Sequence, residues 1–491
     1  MTLGAPVPSS GSSAVPDSAG SESVASASAD LWRDRDFRCL WLGQSASQLG
    51  EHLSLVVLPL VAVLTLHAGA GELGALRAAG QAPILLFSLL AGAWVDRWRT
   101  RTVMVRADAA RALALGALAV ACLLGGVGLP VLFVVAFAVG TLSVFFDVAY
   151  QASLVRLVAR DQLVLGNSAL EGSRSAAQVG GPALGGALVS VLAAPWGIAC
   201  GAVFFAVSFV SIRGIRRHEG VPGDAAAAAR VPRESGADVS VPEAGVRREP
   251  VAEESVPEEG LHVPEAGVQA EPLPEHAERP PRVRHQILDG LRFVVGDAAL
   301  RAVGLASAAF QFSFAALMTV YLLFLPRELH LSGTAVGLAL AAIGPGALLG
   351  SLLAARLPRR FGHGTVLVAA AALGDGVLLC VPALHGPAPV TVPVLLAVNF
   401  VFGVFGQLVN VTVMAVRQAL TPDGMQGRAA ATITFVGMGL TPLGSLLGGR
   451  LAEVYGLRTG LLVAACGMLL SPVLMGCSPL VRLGRTLPGG R

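Results

Sequence analysis

Long apolar segments, separated by short polar ones, constrain this chain more than any other feature of its sequence. They run for about 20 to 28 residues, the length with which a helix crosses the hydrocarbon core of a bilayer. Charged residues make up only 14% of the chain. Because lipid cannot satisfy an open strand edge, we expect the segments to be helices. The pattern predicts an all-α integral membrane protein and disfavours a soluble globular enzyme.

Twelve such segments fall into two groups of six. The first group covers approximately residues 39–66, 73–95, 103–126, 129–155, 163–193 and 196–215. The second group covers approximately residues 298–325, 333–356, 364–384, 391–416, 428–454 and 459–477. Two six-helix repeats joined by a long loop are typical of parallel-repeat transporters. The fold class is therefore predicted to be twelve transmembrane helices in two repeats.

Three polar regions flank and separate the two bundles. Residues 1–36 are rich in Ser, Ala and Pro and lack the basic start and apolar core of a secretory signal, which predicts a disordered tail. Residues 217–284 are acidic and rich in Pro, and the hexapeptide of residues 241–246 recurs at 263–268. This composition predicts a disordered linker, whose repeat is either a partner site or a product of sequence expansion. The remaining predicted regions are the bundles 37–216 and 285–480 and the tail 481–491.

The distribution of arginine predicts the orientation in the membrane. With twelve spans both termini lie on one side, and most of the arginines outside the linker fall in loops of that side. The positive-inside rule then places both termini and the linker in the cytoplasm, for a multi-pass protein of the inner cell membrane. The net charge of +3 gives no reason to expect a nucleic-acid partner.

The sequence offers no pattern for a metal, a cofactor or a catalytic centre. None of the six cysteines forms a CxxC pair or a Cys/His cluster, and all lie in or beside apolar segments. Free cysteines there are expected to be small buried hydrophobic residues. No nucleophile–base pair or phosphate-binding loop is recognisable. We therefore expect no enzyme activity and no cofactor.

The loop between the second and third segments carries a charged motif. It reads Gly92-Ala93-Trp94-Val95-Asp96-Arg97-Trp98-Arg99-Thr100-Arg101. Gly92 would let a neighbouring helix approach closely, and Asp96 could pair with an arginine of another helix in one conformation. The motif resembles the G-x-x-x-D-R-x-G-R-[KR] signature of the major facilitator superfamily, departing from it at Arg99 and Thr100. The resemblance implies a conformational latch of Gly92, Asp96, Arg97 and Arg101; a basic topology anchor is the alternative.

The fifth segment combines charges with a glycine-rich run. Glu171, Arg174 and Gln178 precede Gly181-Pro182-Ala183-Leu184-Gly185-Gly186. At about 100° per residue the three polar residues share a helix face with Pro182 and Gly185. Glu171 and Arg174 are spaced to neutralise each other, and Pro182 should bend the helix. The run resembles the G-P-x-x-G-G signature of exporters in the same superfamily; a glycine-lined packing face is the alternative.

Carboxyl groups within the apolar segments are the candidates for binding protons. Glu51 lies near the middle of the first segment, Asp147 in the fourth and Glu171 in the fifth. An acid is costly within a bilayer, where desolvation favours the protonated form of a carboxyl group. We expect Glu51 and Asp147, and then Glu171, to couple transport to protons. Asp108 and Arg111, three residues apart, are expected to form a structural ion pair.

Charges within the segments are concentrated in the first half, whereas the second half is more neutral. The first-half set is Glu51, Arg77, Asp108, Arg111, Asp147, Glu171 and Arg174. Polar and aromatic stripes on the first, fourth, seventh and tenth segments suit adaptable contact with a partly apolar solute. The predicted substrate-contacting residues are Gln44, Gln48, Tyr150, Gln311, Phe314, Met318, Tyr321, Asn399 and Asn410. Ordinary helix packing is the alternative for each stripe taken singly.

Nearly the whole chain from Leu31 to Leu480 resembles the drug-exporter branch of the major facilitator superfamily typified by macrolide and enterobactin exporters. Further runs that carry the resemblance are Asp108-Ala109-Ala110-Arg111 and Gln418-Ala419-Leu420-Thr421-Pro422. The resemblance implies a monomer in the bilayer that exports an amphipathic small molecule, such as an antibiotic, drug or secondary metabolite, in exchange for protons. In the superfamily the first, fourth, seventh and tenth helices surround the central cavity.

Two other functions fit the sequence. One is an importer, or a lipid or siderophore transporter, on the same fold, which the direction of flux would distinguish. The other is a membrane receptor or scaffold that does not transport and that signals through the acidic linker. That second function predicts that deletion of residues 222–280 abolishes activity, whereas a transporter should survive the deletion.

Overall fold

The computed structural model describes residues 31–95, 98–157, 162–192, 194–216, 283–422 and 425–485. These residues are helical or irregular and contain no β-strand. The helices of the first half are α1 (Arg35–Leu64), α2 (Ala70–Val95), α3 (Thr100–Leu123), α4 (Leu129–Leu157), α5 (Leu163–Leu192) and α6 (Ala194–Arg213). At 1.5 Å per residue, even the shortest is about 30 Å long. Each can therefore cross the hydrocarbon core of a bilayer.

Four of the predicted segments of the second half are divided into shorter helices. Its helices are α7 (Val283–Gly296), α8 (Ala298–Arg327), α9 (Gly333–Ala341), α10 (Ile343–Ala354), α11 (Leu357–Phe361), α12 (His363–Val377), α13 (Ala388–Leu420), α14 (Gln426–Gly439), α15 (Thr441–Tyr455), α16 (Leu457–Met468) and α17 (Leu470–Gly476). Short 3-10 helices cover Leu378–Ala383 and Pro479–Arg482.

Prolines account for the breaks in four of the predicted segments of the second half. A proline lacks the backbone N–H, and its ring clashes with the carbonyl four residues earlier. Accordingly α9 ends four residues before Pro345, and α16 ends four residues before Pro472. The 3-10 helix after α12 begins four residues before Pro382, and Pro442 lies in the first turn of α15. α5 continues through Pro182 without a break.

The described helices have the length and hydropathy of membrane spans. Ten stretches qualify, with mean hydropathies from 1.2 to 2.4. α2 and α3, of 26 and 24 residues, are long enough for two further spans, which is consistent with the predicted twelve. The protein is thus an all-α integral membrane protein, as the apolar segments predict.

Several predicted features lie outside the described residues. They are most of the N-terminal tail, linker residues 217–282, the end of the C-terminal tail, and Asp96 and Arg97 of the loop motif. The domain boundaries therefore stay predictions. Arg101 is described at the start of α3, where its Nη2 atom donates a hydrogen bond to the carbonyl oxygen of Arg213 over 2.5 Å. This contact joins α3 to the end of α6.

Four glycines hold the two halves together at one end of the bundle. We call the end where α1 begins and α2 ends the basic end, and the other the opposite end. Near the opposite end α2 packs on α15 through Gly74 and Gly449, and α5 packs on α9 through Gly186 and Gly337. A Cβ atom added at Gly186 would lie 2.7 Å from the Cα atom of Gly337, so only glycine allows this approach. We call these four residues the glycine seam.

A hydrogen bond adds to the closure at the opposite end. The Nη2 atom of Arg327, the last residue of α8, donates to the carbonyl oxygen of Ala68 over 2.5 Å. Ala68 lies between α1 and α2, so the bond joins the second half to the first. Towards the basic end α2 makes few contacts with α14, and α5 makes few with α10. The two halves are therefore less closely packed there than at the opposite end.

Candidate functional site

A cavity of about 340 Å³ lies between the two halves. α1, α2 and α4 contribute its walls from the first half, and α8, α14 and the start of α15 contribute from the second. Most of the lining is apolar, with Leu55, Leu58, Ile84, Val139 and Phe314 among it. The polar lining consists of Glu51, Ser54, Arg77, Gln81, Ser143, Asp147, Gln311 and Thr441. An apolar cavity with a few placed polar groups is the usual form of a small-molecule site.

The cavity contains two of the three carboxyl groups predicted to bind protons. Glu51 of α1 and Asp147 of α4 both line it, and their side chains interact electrostatically. Two carboxylates that share an apolar cavity repel each other, and a proton bound to either one removes that repulsion. The structure therefore places two interacting carboxyl groups in one cavity, where a proton bound to either weakens their repulsion.

The third predicted proton site, Glu171, lies apart from the cavity lining. Glu171, Arg174 and Gln178 are exposed on the part of α5 towards the basic end. Glu171 interacts electrostatically with Tyr150, and Arg174 interacts with Asp147. Both interactions connect exposed residues of α5 to α4 of the same half. The ion pairs found among the described residues do not include one between Glu171 and Arg174.

Asp108 and Arg111 form the predicted ion pair, within a buried network of the first half. Arg111 donates to Asp108 and, over 3.1 Å in each case, to the hydroxyl oxygens of Ser47 and Ser143. Ser208 of α6 donates to the other oxygen of Asp108. The network joins α1, α3, α4 and α6. Because Ser143 also lines the cavity, one side chain separates the cavity from the ion pair.

Two phenylalanine rings enclose the guanidinium group of Arg111. Its central carbon lies 4.5 Å from the ring centre of Phe146 and 4.4 Å from that of Phe205. The side chains of Arg111 and Asp108 are 0% exposed. A cation between two aromatic faces is held by the rings' negative electrostatic potential as well as by its carboxylate. The ion pair is therefore enclosed on all sides, and its structural role stays a prediction.

The glycine-rich run of α5 serves close packing on two sides. An added Cβ atom at Gly181 would lie 2.6 Å from the Cβ atom of His52, and one at Gly185 would lie 3.2 Å from a methyl group of Val57. Both neighbours belong to α1. Gly186 instead faces α9 of the second half. The run therefore allows α5 to lie between α1 and the other half of the protein.

The predicted substrate-contacting residues have different surroundings in this structure. Gln311 and Phe314 line the cavity. Gln44, Gln48, Met318, Tyr321 and Asn399 are buried outside its lining, Tyr150 is half-buried and Asn410 is exposed. The side-chain nitrogen of Asn399 donates to the hydroxyl oxygen of Tyr321 over 2.7 Å. A solute contact for these seven residues stays a prediction.

The part of the cavity that α2, α14 and α15 form is not predicted from the sequence. The predicted lining comes from the first, fourth, seventh and tenth spans, but α13, the tenth, contributes no residue to this cavity. Arg77 and Gln81 of α2 do line it, and Gln81 accepts a hydrogen bond over 3.1 Å from Ser445 of α15. A lone arginine within an apolar segment was the available signal, because such a charge seldom faces lipid.

The chain resembles known families and proteins along nearly all of its length. Residues 40–288 match the family model described as Major Facilitator Superfamily, and residues 269–485 match the one described as Transmembrane secretion effector. The multidrug efflux pump Tap of Mycobacterium tuberculosis (strain ATCC 25618 / H37Rv) is 26% identical over 434 residues, which cover 85% of this chain and 87% of the pump. The pump of the same name from Mycolicibacterium fortuitum is 26% identical over 444 residues, or 88% and 93%.

Solved transporter structures share the fold. A bacterial homologue of the iron transporter ferroportin in an inward-facing state has a TM-score of 0.63 and 18% identity, covering 90% of this chain and 98% of that one. The nucleoside transporter NupG has a TM-score of 0.64 and 11% identity, with coverages of 90% and 98%. At these identities the likeness concerns the fold.

Proposed function

The chain belongs to the major facilitator superfamily, and on that premise we propose that it exports an amphipathic small molecule, such as an antibiotic, drug or secondary metabolite, in exchange for protons. It is a multi-pass membrane transporter and not an enzyme. The single observation that supports proton-coupled export best is the interacting pair Glu51 and Asp147 in an otherwise mainly apolar cavity. The relatives named multidrug efflux pumps support a drug-like solute.

We propose that the basic end faces the cytoplasm of a bacterial cell, with both termini there. The positive-inside rule supports this orientation, since the described arginines of the loops gather at that end. The structure then corresponds to a cytoplasm-open conformation, with the glycine seam closing the outer side. Solute enters from the cytoplasm when the two carboxyl groups are free of protons. We propose that a monomer suffices.

Alternating access follows from opening the seam and closing the basic end. Rocking of the two halves about a site near the bilayer midplane exposes that site to each side in turn. Protons from outside then bind the carboxyl groups, compete with the solute and favour its release. The membrane potential supplies about 2.3 kcal/mol per charge per 100 mV for each such cycle. The Asp96 loop is proposed to stabilise one of the two conformations.

Everted membrane vesicles of an efflux-deficient bacterium test the proposal. Respiration acidifies the vesicle interior, and a transported antibiotic added outside should release protons, which acridine orange fluorescence reports. A panel of amphipathic antibiotics first identifies a substrate by its minimum inhibitory concentration. Glu51→Gln and Asp147→Asn should each abolish proton release, because neither variant can exchange a proton at that position. Unaltered proton release in both variants would contradict the coupling assignment.

Asp375 provides the matched control. It is the carboxyl group of α12, it is buried, and it does not line the cavity. Asp375→Asn therefore makes the same type of change within the membrane without altering the cavity. We expect it to leave proton release and resistance near those of the parent protein. The direction of solute flux in the same vesicles separates export from import.

A further inference from the structure

The two ends of the cavity carry opposite charge. Arg77 lies two turns into α2, about 10 Å from the opposite end of the bundle. By the same rise per residue, Glu51 lies about 20 Å from that end along α1, and Asp147 about 27 Å along α4. Along the bundle axis the guanidinium group and the carboxyl groups are therefore separated by about 10 to 17 Å. The cavity has a cationic outer end and an acidic inner end.

Arg77 has no partner within the part of the protein that the structure describes. Its Nε atom is buried without a hydrogen bond, and none of the ion pairs found there includes it. Arg111, by contrast, is paired with Asp108. The lining residues nearest to Arg77 along α2 are the apolar Leu76 and Gly80 and the polar but uncharged Gln81. An uncompensated guanidinium group in a membrane interior is costly, and a ligand that pairs with it recovers part of that cost.

We infer that Arg77 binds an acidic group of the solute, and that the cavity selects amphipathic solutes whose carboxylate points to Arg77. The inference rests on the proposed transport function and adds the substrate class and its orientation. A guanidinium group matches a carboxylate through two parallel hydrogen bonds. A solute entering from the basic end reaches Arg77 last, at the closed end of the cavity. Only a fully inserted solute can therefore bind to Arg77.

A pair of fluorescent probes tests the role of Arg77. Dansylglycine ends in a carboxylate, whereas dansylglycinamide carries the same fluorophore and an uncharged amide. Purified protein should bind dansylglycine about tenfold to a hundredfold more tightly, as expected for a hydrogen bond to a charged group. Dansyl fluorescence in a titration measures both dissociation constants. Equal affinity for the two probes, or binding of neither, would overturn the inference.

Substitutions test whether the preference for dansylglycine over dansylglycinamide depends on Arg77. Arg77→Gln should bring the ratio of the two dissociation constants close to one, and Arg77→Lys should keep part of it, because lysine keeps the charge but not the paired hydrogen bonds. Arg106→Gln removes an exposed arginine of α3 outside the cavity and should leave the ratio unchanged. A parental ratio in a monodisperse Arg77→Gln preparation would show that another group recognises the carboxylate.

The experiment also separates this inference from the proposed proton exchange. The variant with both Glu51→Gln and Asp147→Asn should lose solute-driven proton release but keep its preference for dansylglycine. If proton release persists there while Arg77→Gln still abolishes the preference, the coupling assignment fails and the role of Arg77 stands. If proton release is lost and Arg77→Gln keeps the preference, the role of Arg77 fails alone.

Discussion

The amide group of Asn399 is bonded to the hydroxyl group of Tyr321, with 2.7 Å between the nitrogen and the oxygen, and both residues are 0% exposed. The bond joins α13 to α8 within the second half. Because hydrogen bonds between membrane helices average about 0.6 kcal/mol and reach about 1.7 kcal/mol, we expect a coupling free energy in that range. A double-mutant cycle of Tyr321→Phe and Asn399→Leu, read by thermal unfolding in detergent, measures it. A coupling near zero, together with weaker solute binding, would instead assign the two residues to the substrate site.

The Asp108–Arg111 pair should be essential for stability but replaceable as a unit. Asp108→Asn leaves the enclosed guanidinium group without its carboxylate, and breaking a buried pair in this way costs about 3 to 5 kcal/mol. Asp108→Leu combined with Arg111→Met should recover most of that loss, because no unpaired charge remains. Thermal denaturation followed by size-exclusion chromatography measures both changes.

Arg450 and Glu453 supply the control for that prediction. They form another ion pair with the same spacing, 3.0 Å long, but its side chains are 70% and 52% exposed. Exposed pairs contribute about 0 to 1 kcal/mol, so Arg450→Gln should have little effect on unfolding. If the double substitution at positions 108 and 111 folds stably but abolishes proton release, the buried pair takes part in coupling as well as in structure.

Gly186→Ala should weaken closure at the opposite end. The added methyl group would meet the backbone of α9 at 2.7 Å from Gly337, and backbone cannot move aside as a side chain can. Gly116→Ala is the matched control, because an added Cβ atom there has no atom within 4 Å. Cysteines at Ser190 and Thr334, whose hydroxyl oxygen and backbone nitrogen lie 2.6 Å apart, report closure by their cross-linking yield in a cysteine-free background. We expect the yield to fall severalfold for Gly186→Ala only.

Phe314→Ala should weaken the binding of dansylglycine and dansylglycinamide equally, by about tenfold to a hundredfold, since burying an aromatic side chain against a ligand contributes roughly 1.5 to 3 kcal/mol. Phe314 lines the cavity and stacks between Phe310 and Phe402, with ring centres 5.5 and 5.7 Å away. Phe400→Ala truncates a partly exposed ring outside the lining and should leave both affinities unchanged. A change in the ratio of the two affinities would contradict an apolar role for Phe314.

Deletion of residues 222–280 should leave export intact. The linker is predicted to be separate from the two bundles, because its acidic, proline-rich composition cannot form a packed core. The residues that remain still connect the bundles. Resistance of an efflux-deficient bacterium to a transported antibiotic, normalised to the amount of protein in the membrane, measures the effect. Loss of resistance at equal protein would support a signalling or scaffold role for the linker.

The sequence predicts the membrane fold and the acids of the cavity better than it predicts which helix faces meet. Long apolar segments stand out because they are costly outside a membrane, and Glu51 and Asp147 stand out because a carboxyl group is costly within one. Lipid tails are as apolar as a protein interior, however, so hydrophobic periodicity does not show which face of α2 turns inward. A polar pair such as Tyr321 and Asn399 also has the same sequence pattern whether its members bind each other or a solute. Only the packing of the helices distinguishes these cases.

The glycine seam also bears on how easily the transporter changes conformation. Gly74, Gly186, Gly337 and Gly449 bring backbone against backbone, so parting them removes little apolar side-chain surface from contact. At roughly 25 cal/mol per Å², these four glycines themselves therefore add little to the free-energy difference between the closed and open ends. A ligand can shift such an equilibrium only by the difference between its affinities for the two states. Because the glycine seam has no side chains, the difference in affinity that is needed to shift this equilibrium is small enough to come from one bound solute or one bound proton.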